Sequence, residues 1–147
     1  MRQAAGVERP PSGKWYRHPN WEEAFRILRE TCPESVGFRP DDIPCLSAAT
    51  VVDLPTSGRS DLEIAGELWS KLQLPSTGGF VVVTDASFID SVGPFFVQAT
   101  SLAQLIEGHA DRIGDAFFAG DVVMVHKEVE AIFVVHHSEV AMSWRAR

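Results

Sequence analysis

The stretch from Asp121 to His136 constrains this chain more than any other. Two β-rich runs, Asp121 to His126 and Ala131 to His136, are separated by Lys127-Glu128-Val129-Glu130. Val, Ile and Phe fit the pleated, half-buried surface of a strand, and a four-residue link between such runs closes a hairpin. The pairing that this loop imposes sets His126 opposite Ala131 and His136 opposite Asp121. Val140-Ala141-Met142-Ser143-Trp144 follows a short polar turn and completes a three-strand meander. The C-terminal third is therefore an antiparallel sheet built from sequence neighbours.

Three helices are expected upstream of it. Asn20-Trp21-Glu22-Glu23 has the spacing of a capping box, Trp21, Ala24, Phe25 and Leu28 share one helical face, and Pro33 stops the run. Ser60 and Glu63 repeat the capping-box spacing ahead of Leu62, Ala65, Leu68, Trp69 and Leu72, which end before Pro75. A third helix starts at Ser101 and buries Leu102, Leu105, Ile106, His109 and Ile113. Between these lie a strand within Cys45 to Leu54, a fully apolar central strand over Phe80 to Thr84, and a short edge strand at Pro94 to Val97. Asp90 to Gly93 reads as a turn. The class is α+β, a single domain over residues 20–147 with a mainly antiparallel sheet. Residues 1–19, with three prolines and no periodicity, read as an N-terminal arm.

Composition narrows the function. The chain has 147 residues, 13 Lys/Arg and 20 Asp/Glu, for a net charge of −7. Residues 41–144 carry four Lys/Arg against fifteen Asp/Glu, a net of −11, while the two ends are basic. A surface this acidic argues against nucleic-acid binding through phosphate neutralisation. No apolar run is long enough to span a bilayer, and the N-terminus lacks the apolar core of a signal peptide. The expected setting is cytoplasmic, with Cys32 and Cys45 as reduced thiols.

Five histidines raise the question of a metal or catalytic site. His136 and His137 are adjacent on a strand, where successive side chains point to opposite faces, so no shared ion is expected. No Cys pair or His-x-x-x-His spacing supports zinc either, and neither metal nor cofactor is expected. Asp121 opposite His136 has the chemistry of two triad members, but no nucleophile elbow accompanies it. A cross-strand polar pair is the simpler reading. His109 fits a hydrogen-bonded core histidine. Asp41-Asp42 and Asp85 with Asp90 fit turn carboxylates, and Leu74-Pro75-Ser76-Thr77-Gly78 matches a sorting pattern by chance, since it lies mid-chain before a strand.

The most informative feature is an acidic stripe on the third helix. Glu107, Asp111 and Asp115 fall at i, i+4 and i+8, opposite the apolar face, with Gly114 as a candidate helix end before the last of them. Like charges at this spacing cost about 0.2–0.5 kcal/mol per pair, and the helix dipole disfavours anions near the C-terminus. A helix gains nothing from this stripe, so a cationic partner explains it better. His137 and Glu139, in the polar turn before the last strand, complete the expected partner-binding residues.

Phe117-Phe118-Ala119-Gly120-Asp121 entering a strand, and Phe133-Val134-Val135-His136-His137 in the next, carry a resemblance. Residues 79–144 resemble in overall plan the small acidic immunity proteins encoded beside bacterial polymorphic toxins. That likeness implies a cytoplasmic, cofactor-free binder of a basic toxin or nuclease domain, and no functional residue transfers with it. The expected function is thus a non-catalytic protein-binding protein, an inhibitor acting through an acidic surface. The competing class is a small hydrolase-like enzyme using Asp121 and His136.

Overall fold

The structure is a computed structural model, and it describes residues 20–89 and 92–146. The expected arm over 1–19, and Asp90 and Ser91 of the expected turn, lie outside the described residues. The chain is α+β, as expected. Three helices, α1 (Asn20–Thr31), α2 (Asp61–Leu72) and α3 (Leu102–Ile113), accompany six strands. The strands are β1 (Thr50–Asp53), β2 (Gly79–Val83), β3 (Phe95–Gln98), β4 (Val122–His126), β5 (Ala131–His136) and β6 (Val140–Arg145). They form one sheet in the order β1-β6-β5-β4-β2-β3, with every neighbouring pair antiparallel.

Lys127–Glu130 is the hairpin loop, and the register pairs Val122 with Val135 and His126 with Ala131. Alternation then divides the apolar side chains between two cores. Val122, Met124, Phe133 and Val135 face one way, against Leu68, Leu102 and Ile106 of α2 and α3. Val123, Val125, Ile132 and Val134 face the other way, against Trp21 and Leu28 of α1 and against Phe38 and Ile43. An antiparallel sheet commonly leaves one face to water. In this protein both faces are covered, which is why β2 and β4 are buried along their whole length.

Local chemistry sets the helix ends. The Ser60 hydroxyl accepts from the Glu63 backbone N–H while the Glu63 carboxylate accepts from Ser60 N–H, a complete capping box. The buried face of α2 is Ile64, Ala65, Leu68 and Leu72. Leu62, expected on that face, is instead 54% exposed. Asp61 turns inward to accept from the amides of Phe117 and Phe118, and Leu62 lies one step of about 100° round the helix from it. Ser101 makes no cap bond through its side chain, because its backbone (φ −110°, ψ 3°) is not the extended conformation that a cap needs. The chain instead enters α3 through a 3₁₀ turn over Ala99–Ser101. The strand expected from Cys45 is shortened to Thr50–Asp53, because Pro44–Ala48 forms another 3₁₀ turn. Its partner β6 takes it in as the edge of the sheet, and β3 forms the opposite edge as expected.

The expectation of free thiols is corrected. Cys32 and Cys45 are joined in a disulfide, with Cα atoms 6.2 Å apart and a sequence separation of 13. Cys32 follows the last turn of α1, whose burial against β4 and β5 brings the cysteine to the loop before β1. Two cysteines so spaced carry no signal of this in sequence, since the approach is made by tertiary packing.

Two outcomes test the layers. Leu105→Ala should lower unfolding free energy by about 2–5 kcal/mol in denaturant titration, because Leu105 belongs to the α2/α3 core. Reducing the disulfide, or replacing both cysteines by Ser, should cost about 3 kcal/mol for a loop of this length. A melting temperature unmoved by reductant would show that the bond does not constrain the chain.

Candidate functional site

Two groups of polar side chains remain once the cores are accounted for. The first is the outer face of α3. Its apolar face packs inward, with Leu102, Leu105, Ile106 and His109 buried and Ile113 partly so. Glu107 and Asp111 stand on the opposite side and are exposed. Gly114 ends the helix in the left-handed region at φ 105°, so Asp115 leaves the helical spacing, although it is exposed beside the same end. Among the described residues none of these three carboxylates has an ion-pair or hydrogen-bond partner for its side chain.

Three carboxylates on the other two helices are paired instead. Glu23 and Glu30 both pair with Arg26 at 2.6 Å. Glu67 pairs with Arg59 and with Lys71. Hydrogen bonding from Arg26 holds Glu23 below the usual carboxylate range, and Lys71 does the same for Glu67.

The second group closes one end of the sheet. Beyond Val122 the hairpin register would set Asp121 against His136, but the Asp121 carboxylate turns to the next residue. Its Oδ1 accepts from the His137 backbone N–H at 2.8 Å and from His137 Nδ1 at 2.9 Å. His136 Nδ1 instead meets the Ser138 hydroxyl at 2.7 Å and the Ser138 backbone N–H at 3.1 Å. The expected Asp121–His136 pair is therefore not made. The expectation that His136 and His137 diverge also fails: their rings stack 4.3 Å apart at 26°. Strand alternation ends at His136, and His137 opens the turn into β6, where the rule no longer applies.

Carboxylates and an apolar cleft surround this cluster. Asp85 sits against Gly120, where an added Cβ would come within 1.9 Å of its Oδ2. Burial pushes the Asp85 carboxyl up, with Asp121 adding to the shift and Arg39, 3.9 Å away, opposing it. On its other side His136 forms a wall of a cleft of about 320 Å³ lined by Pro40, Ile43, Pro44, Leu46 and Met142.

The remaining residues of interest are structural. Glu139, expected as a partner contact, is in the left-handed region at φ 69° and accepts from the Ser57 hydroxyl and backbone N–H. These bonds hold its carboxyl below the usual range and brace the turn that carries His137. His109 is a bonded core histidine as expected: Nδ1–H donates to the Asp115 carbonyl at 2.6 Å and Nε2 accepts from Thr84 at 3.2 Å. His126, buried, donates from Nε2 to the Thr77 carbonyl at 2.6 Å and accepts at Nδ1 from Val129 N–H at 3.2 Å. The Leu74–Gly78 pattern thus ends as a structural corner. Gly78 has φ 89°, and a Cβ there would lie 2.7 Å from the His126 ring.

Comparison with known protein families, curated proteins and solved structures returns no match for this chain.

Ser57→Ala provides a direct check on Glu139. Removing the hydroxyl should move the Glu139 carboxyl back up toward its ordinary value in an NMR titration. Because the folded state lowers this pKa, the Ser57 contact stabilises the fold above the ordinary carboxylate pKa, and that contribution is lost as pH falls through the lowered value. An unchanged Glu139 titration in Ser57→Ala would show that the contact does not hold the carboxylate.

Proposed function

We propose that this is a non-catalytic binding protein, an inhibitor of immunity-protein type, that engages a basic toxin or enzyme through the outer face of α3. The observation that carries the reading is the idle charge on that face. Among the described residues Glu107, Asp111 and Asp115 are exposed and have no ion-pair partner, whereas Glu23, Glu30 and Glu67 on the other two helices are drawn into ion pairs. Glu107 and Asp111 repel each other on the helix that carries them, and all three carboxylates gain value when a cation arrives. The net of −11 over residues 41–144 supports the same reading, since a summed field of one sign steers an oppositely charged partner. His137, bonded to Asp121 through Nδ1 and its backbone N–H, is exposed and offers a partner the rest of its ring. Glu139 contributes through the turn that it braces.

No helix among the described residues is long and apolar enough to cross a membrane. The cytoplasmic setting expected from the sequence stands against the Cys32–Cys45 disulfide, a bond that is rare in the cytosol and persists in oxidising environments. Recognition of a basic partner works in either setting.

The test is binding kinetics on a partner captured from the source cell by the full chain. At low salt, Glu107→Lys with Asp111→Lys should slow association about 10-fold or more while the fold is retained. The wild-type association rate should fall steeply as salt is raised. An association rate indifferent to salt and to the double reversal would overturn the proposal.

A further inference from the structure

We propose that Asp121, His136 and His137 form a binding site for a divalent transition-metal ion of the zinc class. One ligand atom from each residue lies within 4.8 Å of the other two. Two ligands held about 2.1 Å from a tetrahedral ion are about 3.4 Å apart, so contraction with rotation of the two stacked rings out of their near-parallel arrangement brings all three into one coordination sphere. Asp121 Oδ1 and His137 Nδ1 already stand at 2.9 Å, sharing a proton whose place the cation takes.

The surroundings favour a held site over a chance meeting of polar groups. The Asp121 side chain is only 15% exposed, and the His137 backbone N–H fixes its carboxylate. The His137 ring is 68% exposed, which gives an ion a way in. Glu139, tied to Ser57, anchors the turn on which His137 rides. Outer groups of this kind orient metal ligands and tune their affinity. The donor set defines the class of ion: two imidazoles with one carboxylate suit zinc, cobalt, nickel or copper, whereas calcium and magnesium demand oxygen. Three protein ligands leave a coordination position open for water or a further ligand. The site goes beyond the acidic face of α3 and takes none of its ligands from it.

Isothermal titration of the metal-free full chain with zinc, and separately with cobalt, tests the proposal. One ion per chain should bind, magnesium and calcium should give no heat, and cobalt should show the visible absorption of a low-coordinate site. His136→Gln with His137→Gln should weaken binding at least 10-fold. Paramagnetic broadening by cobalt in wild-type protein should fall first on the His136 and His137 ring signals and spare His126, which serves if the double variant fails to fold. Binding of equal strength in a folded double variant, binding at many weak positions, or broadening centred away from these two rings would overturn the site.

Discussion

The pairing of β4 with β5 is the constraint on which the rest of the structure depends. Both strands are apolar at nearly every position, so alternation cannot leave one face to water. Each side chain on either face needs a cover, and the covers are what the remainder of the chain provides. α2 and α3 close one face, and α1 with the disulfide-bound loop closes the other. A slip of one residue in this pair would exchange the two faces, setting Met124 and Phe133 among the partners of Val123 and Ile132. The four-residue loop and the His126–Thr77 hydrogen bond beside it hold the register against that slip.

The same register accounts for where polar chemistry collects. Where β4 begins and β5 ends, backbone pairing stops and side chains take over the ladder's work. The Asp121 carboxylate caps the His137 amide there, and two imidazole rings are brought face to face. A strand end is thus a place where adjacent residues converge, although within the strand they would be separated. The acidic face of α3 has a different origin. It lies on the solvent side of a helix whose inner face is fixed by Leu102, Ile106 and His109, and among the described residues no ion pair uses it.

How much of this can be read from the sequence follows the range of the interactions involved. The hairpin, the meander and the α2 capping box are local, and their residues announce them by spacing. The buried face of α3 is legible because its apolar period is clean. The disulfide is not, since Cys32 and Cys45 meet only after α1 has docked on the sheet. Nor is the exposure of Leu62, because it depends on Asp61 turning inward to the distant amides of Phe117 and Phe118. The meeting of His136 with His137 is missed when strand alternation is extended one residue too far. The polar run His136-His137-Ser138-Glu139 directly after the apolar Ile132–Val135 is the signal that could find it, since it marks where the strand gives way to a turn.

Native-state amide hydrogen exchange, followed residue by residue, tests the dependence on β4 and β5 most directly. The amides of Val123–Val125 and Ile132–Val134 should exchange only through global unfolding, with free energies equal to the stability measured in denaturant. Those in the edge strands β1 and β3 should exchange earlier, through local opening. If amides of α1 or α3 outlast those of β4 and β5, the helices rather than the hairpin organise the fold, and the β4–β5 pairing is not its central constraint.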